Sequence, residues 1–376
     1  MFAEKMIGLE DAGCFALSRI FRCKPRLARV IVEKLVDPCS IFGFTEEQLL
    51  SAMGPFSPYP SAITGTSLME ELAQLQRLGD CGFRWISYSN SCFPQSLKEC
   101  DDGPMGLFVV SRNSLESLFK PDTVSVVGTR DISSYGEQWC RKTVACLAAT
   151  RQKPTIVSGL AFGVDITAHL TALREGLPTI AVLGTGIDKI YPSRHETYAR
   201  MIIDAPDSAI VSEYPPGTSV TPTNFLYRNR IIAGLAKATV LVESRLKGGG
   251  MATARQAAAY NREVFAVPGR NDDIRSQGCN YLIYSNIAAA LINPSVLTDA
   301  MGYSLISSGK DEDRYRSLSA AERKLFKMIR AKRGIAIEQL VQESGLAYKD
   351  VSSAVYRMEA EGLVDVDIMQ RCSACK

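Results

Sequence analysis

The sequence predicts an α/β fold: an extended Rossmann-like domain built on a parallel sheet, with a small N-terminal helical module and a C-terminal winged helix. Three observations support this prediction. Short runs rich in Val and Ile recur between residues 123 and 291, and several of them stop at glycine. Helical patterns separate these runs, and further helical patterns flank the region on both sides. Strands that alternate with helices are typical of a parallel sheet covered by helices.

Composition narrows the class of protein. The chain has 376 residues, 46% hydrophobic and 22% charged, as expected of a folded protein with two or three domains. No apolar run is long enough to cross a bilayer, and Glu4 and Glu10 do not fit a signal peptide, so we expect a cytoplasmic protein without membrane contact. Eleven cysteines without regular spacing fit reduced thiols. The net charge of +3 names no partner, because a basic groove can exist in a nearly neutral protein.

The N-terminal region, residues 1–102, is predicted to be a helical module followed by a linker. Helical patterns near residues 27–35 and 45–50 precede loops that contain Pro55, Pro58 and Pro60. Arg22, Lys24, Arg26 and Arg29 form a basic cluster, which could touch phosphate or could be a solvated helix face.

The central region, residues 103–298, is predicted to be the Rossmann-like domain. Its βα units repeat, and right-handed crossovers then produce a doubly wound parallel sheet. The predicted strands lie near residues 124–127, 155–157, 179–183, 209–211, 239–242 and 264–267. The predicted helices lie near residues 137–149, 161–174, 225–236 and 252–260.

A polar linker, residues 299–316, is predicted to lead to a winged helix-turn-helix at residues 317–370. Ser319 and Glu322 form a capping-box pattern, helical patterns follow near 337–344 and 348–361, and residues 363–368 alternate as a strand. The last helix has only Lys349 and Arg357 as cations against three acids, which favours a protein-interaction or accessory role. Cys372 and Cys375 form a CxxC without a second pair of ligands, so we interpret them as part of a frayed tail.

The residues that follow the predicted strands of the central region are the candidates for ligand binding. The turn after the first strand lacks the second and third glycines of GxGxxG, and the chain has no GxxxxGK[ST] motif, so no dinucleotide or other cofactor is expected. Glycine turns at the carboxyl edge of a parallel sheet instead let the backbone approach a phosphate, with helix-start amides facing the anion. Gly128, Thr129 and Arg130 follow one strand, and Ser158 and Gly159 follow the next. At any one of these turns, glycine could also be present only because the backbone turns tightly, without any role in binding a phosphate.

A second pattern interleaves Phe225 and Tyr227 with Arg228 and Arg230. Contacts to the phosphate backbone combined with base stacking are how proteins hold single-stranded nucleic acid without reading its sequence. Both aromatic residues could alternatively belong to the core. The two arginines could also pair with carboxylates at the sheet edge, such as Glu213 or Glu243.

Together, these motifs resemble the DprA/Smf family, the DNA-processing proteins of natural transformation. The resemblance covers about residues 103–294, with the motifs in order and suitably spaced. It is carried by Val127-Gly128-Thr129-Arg130, Ser158-Gly159-Leu160-Ala161-Phe162-Gly163-Val164-Asp165, Val182-Leu183-Gly184-Thr185-Gly186-Ile187-Asp188 with Tyr191-Pro192, Phe225-Leu226-Tyr227-Arg228-Asn229-Arg230-Ile231-Ile232-Ala233-Gly234, and Val264-Phe265-Ala266-Val267-Pro268-Gly269.

The resemblance implies a protein without enzymatic activity and without catalytic residues. The two histidines, His169 and His195, are too few for a catalytic metal site, so no bound metal is expected. It implies a Rossmann-like domain that forms a homodimer, binds and protects incoming single-stranded DNA, and loads the RecA recombinase onto it. Arg130 would be the main phosphate-binding arginine, and Phe225, Arg228, Asn229 and Arg230 would belong to the DNA-binding groove. Lys247 with Gly248, Gly249 and Gly250 matches a Lys-x-Gly-rich turn, although Lys-Gly-Gly-Gly-Met replaces the common Ser-Gly-Ser-Leu. The remaining candidates for DNA contact are Gly128, Thr129, Ser158 and Gly159.

Two alternatives remain. Residues 249–256 loosely match the PGGxGTxxE signature of LOG-type nucleotide phosphoribohydrolases, but Gln256 occupies the position of the glutamate, and an amide cannot act as a general acid or base. A DNA-binding regulator that acts through the winged helix is the second alternative. Hydrolysis of nucleoside monophosphates would support the first alternative, and preference for one duplex sequence would support the second.

Overall fold

The computed structural model describes residues 7–22, 24–35, 37–306, 318–332, 334–367 and 369–374. The chain forms two compact units, one that extends to Ser304 and one that begins at Leu305. The boundary predicted between residues 102 and 103 therefore falls inside the first unit. Residues 307–316 of the predicted linker lie outside the described residues. No helix in the described part of the chain combines the length and the apolar character that a bilayer span requires.

The first unit is built on a nine-stranded sheet with the order β1-β2-β6-β5-β4-β3-β7-β8-β9. The strands from β3 to β9 pair in parallel, whereas β1 pairs with β2 and β2 with β6 in antiparallel fashion. The strands are β1 (Arg84–Ser87), β2 (Gly106–Val110), β3 (Thr123–Val127), β4 (Thr155–Ser158), β5 (Thr179–Leu183), β6 (Ala209–Ser212), β7 (Ala238–Leu241), β8 (Glu263–Ala266) and β9 (Ala289–Ala290). Every strand predicted for the central region is present, with ends shifted by at most one residue, and the α/β prediction is confirmed.

Helices cover both faces of this sheet. They are α6 (Gln95–Lys98), α7 (Leu115–Leu118), α8 (Ser134–Ala148), α9 (Val164–Arg174), α10 (Glu196–Asp204), α11 (Pro222–Leu235), α12 (Gly249–Ala259), α13 (Gln277–Tyr284) and α14 (Pro294–Ala300). Because both faces are covered, the central strands are almost continuously apolar and buried. Among the apolar clusters on this sheet, one packs α11, α12 and α13 on one face, and another packs α8, α9 and α14 on the opposite face.

Capping explains where two of these helices begin. Helices α8 and α11 both start three residues before the positions expected from the sequence. Ser133 accepts a hydrogen bond from the Gly136 amide (3.1 Å), and Thr221 accepts one from the Asn224 amide (3.3 Å). Each hydroxyl satisfies a backbone donor that has no partner within its own helix.

The N-terminal module contains α1 (Leu9–Ile20), α2 (Pro25–Leu35), α3 (Glu46–Met53), α4 (Pro60–Thr64) and α5 (Leu68–Asp80). It packs against the β1–β2 edge, where Phe15 contacts Trp85 and Phe108 with ring centroids 5.3 and 5.9 Å away. Arg29 from the predicted basic cluster is buried and donates to the carbonyl oxygens of Leu97 and Lys98. Arg29 therefore fastens the module to the end of α6 and does not face solvent.

The second unit contains α15 (Ala320–Ala331), α16 (Ile337–Ser344) and α17 (Tyr348–Ala360) with a three-stranded sheet. Its strands are β10 (Ile335–Ala336), β11 (Val364–Val366) and β12 (Arg371–Ala374), and β12 lies in the middle. The Ser319–Glu322 capping box is confirmed, because the Ser319 amide donates to Glu322 Oε2 (2.8 Å) and the Ser319 hydroxyl accepts from the Glu322 amide (3.3 Å). That this unit is a winged helix remains a prediction.

The frayed-tail prediction for the CxxC segment is wrong. Cys372 is buried in the central strand of this small sheet and packs into the core of the second unit. Burial raises the pKa of its thiol to about 11. Cys375 lies outside the described residues.

Candidate functional site

A cleft of about 640 Å³ opens at the carboxyl edge of the parallel strands, between the turn after β3 and the first turns of α11 and α12. Several predicted site residues line it together: Gly128, Thr129, Arg130, Phe225, Arg228, Asn229, Gly248, Gly249 and Gly250. Ser158, Gly159, Arg230 and Lys247 do not line it. Residues that the sequence reasoning missed also contribute to the walls, among them Asp165, Tyr191, Thr221 and Arg245.

The turn after β3 delivers Arg130 to the rim of the cleft. A side chain at Gly128 would place its Cβ 2.6 Å from a methyl group of Val164 and 2.8 Å from the carbonyl oxygen of Glu243, so the turn needs glycine. The Thr129 amide donates to that same carbonyl oxygen at 2.7 Å, which fixes the turn to the end of β7. Arg130 is exposed, and within the described chain it has no carboxylate partner within 4.0 Å. Its guanidinium carbon lies 5.9 Å from the centroid of the Phe225 ring.

Helix α11 contributes one wall of the cleft through residues at helical spacing. Phe225, Arg228, Asn229 and Ile232 follow the i, i+3, i+4, i+7 pattern, and all four line the cleft. Phe225 is half-buried, and its ring centroid lies 5.4 Å from that of Tyr191. This spacing was available in the sequence, and it separates the residues that face the cleft from Arg230.

Arg228 is a buried cation in the wall. It donates to the carbonyl oxygens of Gly159, at 2.7 Å, and of Val182. A Cβ at Gly159 would lie 2.2 Å from the guanidinium, so glycine is required there by Arg228. Burial lowers the pKa of Arg228 to about 10, against the opposing attraction of Asp165. Its charge is thus held in place by the backbone at the ends of β4 and β5.

Arg230 turns away from the cleft, so its assignment to the groove needs correction. Both oxygens of the Glu213 carboxylate accept from Arg230 at 2.6 Å, and the carbonyl oxygen of Asp102 accepts at 2.5 Å. Arg230 is 5% exposed and Glu213 is 12% exposed. The alternative of a carboxylate partner at the sheet edge is therefore the one observed for Arg230.

Ser158 and Gly159 stabilise the backbone next to the cleft without lining it. The Ser158 hydroxyl is buried and donates to the carbonyl oxygen of Val126 at 2.7 Å. The Gly159 amide donates to Asp165 Oδ2 at 3.2 Å, and the Ala161 amide donates to the same oxygen at 3.4 Å. Burial raises the pKa of Asp165, although attraction to Arg228 and these amide hydrogen bonds act against the rise. Neither Ser158 nor Gly159 reaches the cleft, because both are committed to this backbone network.

The starts of helices α8 and α12 differ at this edge. At α8, the Glu243 carboxylate accepts from the Ser133 amide (2.9 Å) and from the Ser133 hydroxyl, so the protein's own anion occupies that helix start. The expectation that helix-start amides face a ligand is therefore wrong for α8. At α12, Gly248, Gly249 and Gly250 line the cleft, and first-turn amides of a helix lack intrahelical partners.

The charged groups that line the cleft in the described chain are Arg130, Arg228, Arg245 and Asp165. The excess of cations together with the α12 amides makes the cleft suited to an anion. Lys247 is exposed beside the α12 turn but does not line the cleft, whereas Arg245 does.

Comparison with known proteins decides the family. The family model described as DNA recombination-mediator protein A matches residues 84–302, which is more than half of the chain. The chain belongs to this family. The match begins at the first residue of β1 and includes all nine strands of the large sheet, so the family domain starts before the region of resemblance seen in the sequence.

Individual relatives agree with this assignment. The chain is 33% identical to protein Smf of Synechocystis over 303 residues, which cover 72% of this chain and 75% of that protein. It is similar to the X-ray structure of DNA processing protein A (DprA) from Streptococcus pneumoniae, with a TM-score of 0.64 and 29% identity over 80% of this chain and all of that one. A structure of DprA from Helicobacter pylori, described for its single-stranded DNA binding mode, matches with a TM-score of 0.51 and 29% identity over 59% of this chain and 98% of that one.

Proposed function

We propose that the cleft binds single-stranded DNA without sequence preference, and that the protein protects incoming DNA and loads the RecA recombinase onto it during natural transformation. The observation that carries the proposal is the exposed Arg130, free of a carboxylate partner among the described residues, beside the ring of Phe225. A cation for the phosphate and a ring for the base are the two elements that hold a single strand.

The shape and charge of the cleft support this substrate. A volume of about 640 Å³ lies within the usual range of ligand pockets and admits part of an extended strand, whose unpaired bases can turn into the cleft. Gly249, in the first turn of α12, has open space where a side chain would stand, which lets a phosphate approach its backbone closely. The relative from Helicobacter pylori binds single-stranded DNA, and this chain shares its fold over the family domain.

The carboxylate that lines the cleft favours a binding function over a hydrolytic one. Asp165 is the carboxylate among the lining residues, and it is buried and accepts hydrogen bonds from two backbone amides. Gln256, at the position of the hydrolase glutamate, is half-buried on α12 and does not line the cleft. We therefore infer that the protein is not an enzyme. An assay with nucleoside monophosphates that detects no released base would agree with this inference.

The few cations of α17 favour an accessory role for the second unit over sequence-specific binding to duplex DNA. In α17, Arg357 pairs with Glu322 of α15 at 2.8 Å, so one of the helix's two cations is already engaged. Lys349 is the remaining cation of α17, and a single lysine is too little for docking in a major groove. Preference for one duplex sequence in a binding-site selection would contradict this interpretation.

The direct test is fluorescence anisotropy with a labelled oligonucleotide, single-stranded or duplex, at several salt concentrations. We expect tight, salt-sensitive binding to the single strand alone. Arg130→Ala should weaken it for every sequence and reduce the log–log salt slope by about 0.7 for each phosphate that is no longer neutralised. The matched control is Arg174→Ala, because Arg174 pairs with Glu175 at the far end of α9. Equal affinities and slopes for wild type and Arg130→Ala would refute the cleft as the binding site.

Two further parts of the proposal have separate tests. Loading of RecA predicts that the protein shortens the lag of RecA ATP hydrolysis on single-stranded DNA that is coated with single-strand-binding protein. A homodimer formed through the first unit predicts twice the mass of one chain by light scattering. The full chain and the chain without its second unit should both show this doubling. We also propose that the protein is cytoplasmic, because RecA acts on incoming DNA there.

A further inference from the structure

An exposed phenylalanine stands just outside the cleft, on the turn that follows β4. Phe162 is 42% exposed, although large apolar side chains are normally buried. It lies between Leu160, which adopts φ +57° with its side chain fully buried, and Gly163, with φ +75°. A leucine in the left-handed region is strained, and such strain persists only where the surrounding structure enforces it.

Hydrogen bonds hold this turn in its strained form. Asp165 accepts from the Ala161 amide on one side, and His195 Nδ1 lies 2.9 Å from the carbonyl oxygen of Leu160 on the other. A side chain at Gly163 would bring its Cβ within 2.3 Å of the carbonyl oxygen of Thr129, so glycine lets the turn pack directly on the Arg130 turn. The ring of Phe162 is therefore presented to solvent by a rigid loop.

A second exposed ring connects this turn to the cleft. Tyr191 is 44% exposed, lines the cleft, and contacts the Phe225 ring. The short turn that follows it ends at His195, whose ring centroid lies 4.7 Å from that of Phe162 in an edge-on arrangement. Ala161, next to Phe162, also lines the cleft. The rings of Tyr191 and Phe162 are thus continuous with the rim of the cleft, and we call these two residues the aromatic ledge.

Cations accompany the aromatic ledge. Lys189, Arg194 and Arg200 are all exposed, and each has no ion pair with another residue in the part of the chain that the structure describes. Of the two neighbouring acids, Asp188 accepts from the Gly217 amide at 3.1 Å and is engaged in that turn, whereas Glu196 is exposed between Arg194 and Arg200 and forms no ion pair with another described residue. Exposed rings next to free cations have the composition of a surface that holds a single strand.

We propose that single-stranded DNA continues from the cleft onto the aromatic ledge, where further bases stack on Tyr191 and Phe162 while Arg194 contacts the backbone. This inference rests on the proposed function and extends it: the ledge lengthens the binding site beyond the nucleotides held in the cleft. Short oligonucleotides then fill the cleft alone, and longer ones gain affinity from the ledge.

Anisotropy titrations with oligo-dT of increasing length test the ledge. Wild type should gain affinity as the oligonucleotide grows beyond the shortest length that binds. Phe162→Ala should bind long oligonucleotides about fivefold or more weakly than wild type while it keeps the wild-type affinity for the shortest one. Phe162→Leu, which keeps an apolar side chain without a ring face, should show the same weakening. Phe56→Ala is the matched control, because Phe56 is 96% exposed on the N-terminal module.

Photo-crosslinking supplies an independent readout. Oligo-dT with a single 5-iodouracil near one end should crosslink to the peptide that contains Phe162, as identified by mass spectrometry. A position in the middle of the strand should crosslink to the peptide that contains Phe225. If no oligonucleotide binds wild type, the proposed function itself fails. If wild type binds but Phe162→Ala and Phe162→Leu bind all lengths as wild type does, or no crosslink reaches Phe162, the ledge is refuted and the cleft stands.

Discussion

The Arg230–Glu213 pair offers a stringent test of the corrected site. Arg230→Met removes a buried cation that binds both Glu213 oxygens and the Asp102 carbonyl oxygen. The variant leaves Glu213, which is 12% exposed, charged and without its partner. Breaking a buried ion pair in this way costs about 3–5 kcal/mol. Because a protein's total stability is about 5–15 kcal/mol, this destabilisation is large enough to measure.

Urea unfolding followed by tryptophan fluorescence is the suitable assay. Both tryptophans, Trp85 and Trp139, belong to the first unit, so their emission reports that unit alone. We expect Arg230→Met to shift the midpoint strongly to lower urea. Arg230→Met combined with Glu213→Leu should recover much of the stability, because removing both charges leaves no unpaired ion.

DNA binding by the same variant decides what Arg230 does. Below its unfolding transition, Arg230→Met should bind single-stranded DNA with the wild-type affinity and salt slope, in contrast to Arg130→Ala. A variant that unfolds like wild type, within about 1 kcal/mol, yet binds DNA as weakly as Arg130→Ala would refute the structural assignment of Arg230.

Three further predictions concern the same framework. Gly136→Ala should destabilise the first unit by about 1–3 kcal/mol in urea unfolding, because the new Cβ would lie 2.5 Å from the Glu243 carboxylate at the start of α8; an unchanged midpoint would contradict this close approach. Burial lowers the pKa of His169 to about 3, so the unfolded chain binds a proton below about pH 6.5 while the folded chain does not. The stability of wild type relative to His169→Gln should therefore fall by about 1.4 kcal/mol per pH unit below about pH 6, and a constant difference would show that His169 is protonated in the fold. Ser319→Ala should remove the capping box of α15 and lower the stability of the second unit by about 1 kcal/mol in thermal melts followed by circular dichroism; Ser353→Ala, at an exposed position inside α17, is the control and should leave the melt almost unchanged.

The sequence determined the parallel core of the fold. Apolar β-branched runs that end at glycine require burial on both faces, so strand positions such as 179–183 could be predicted directly and match the structure. Arg130 could also be placed at the carboxyl edge, since it directly follows a strand and its turn. The antiparallel strands β1 and β2 were not foreseen. They lie at an edge of the sheet, outside the repeating βα pattern.

Only the tertiary structure decided which distant groups the polar residues at this edge meet. Arg228 and Arg230 are two positions apart on one helix, which turns them about 200° from each other, so one reaches the cleft wall and the other reaches Glu213. Their partners at Gly159 and Asp102 are distant in the chain, and Glu243 reaches the Ser133 helix start across a similar gap. Periodicity reports which side of a helix a residue occupies. It does not report which distant group the fold brings to that side, because that depends on how strands and helices from separate parts of the chain pack together.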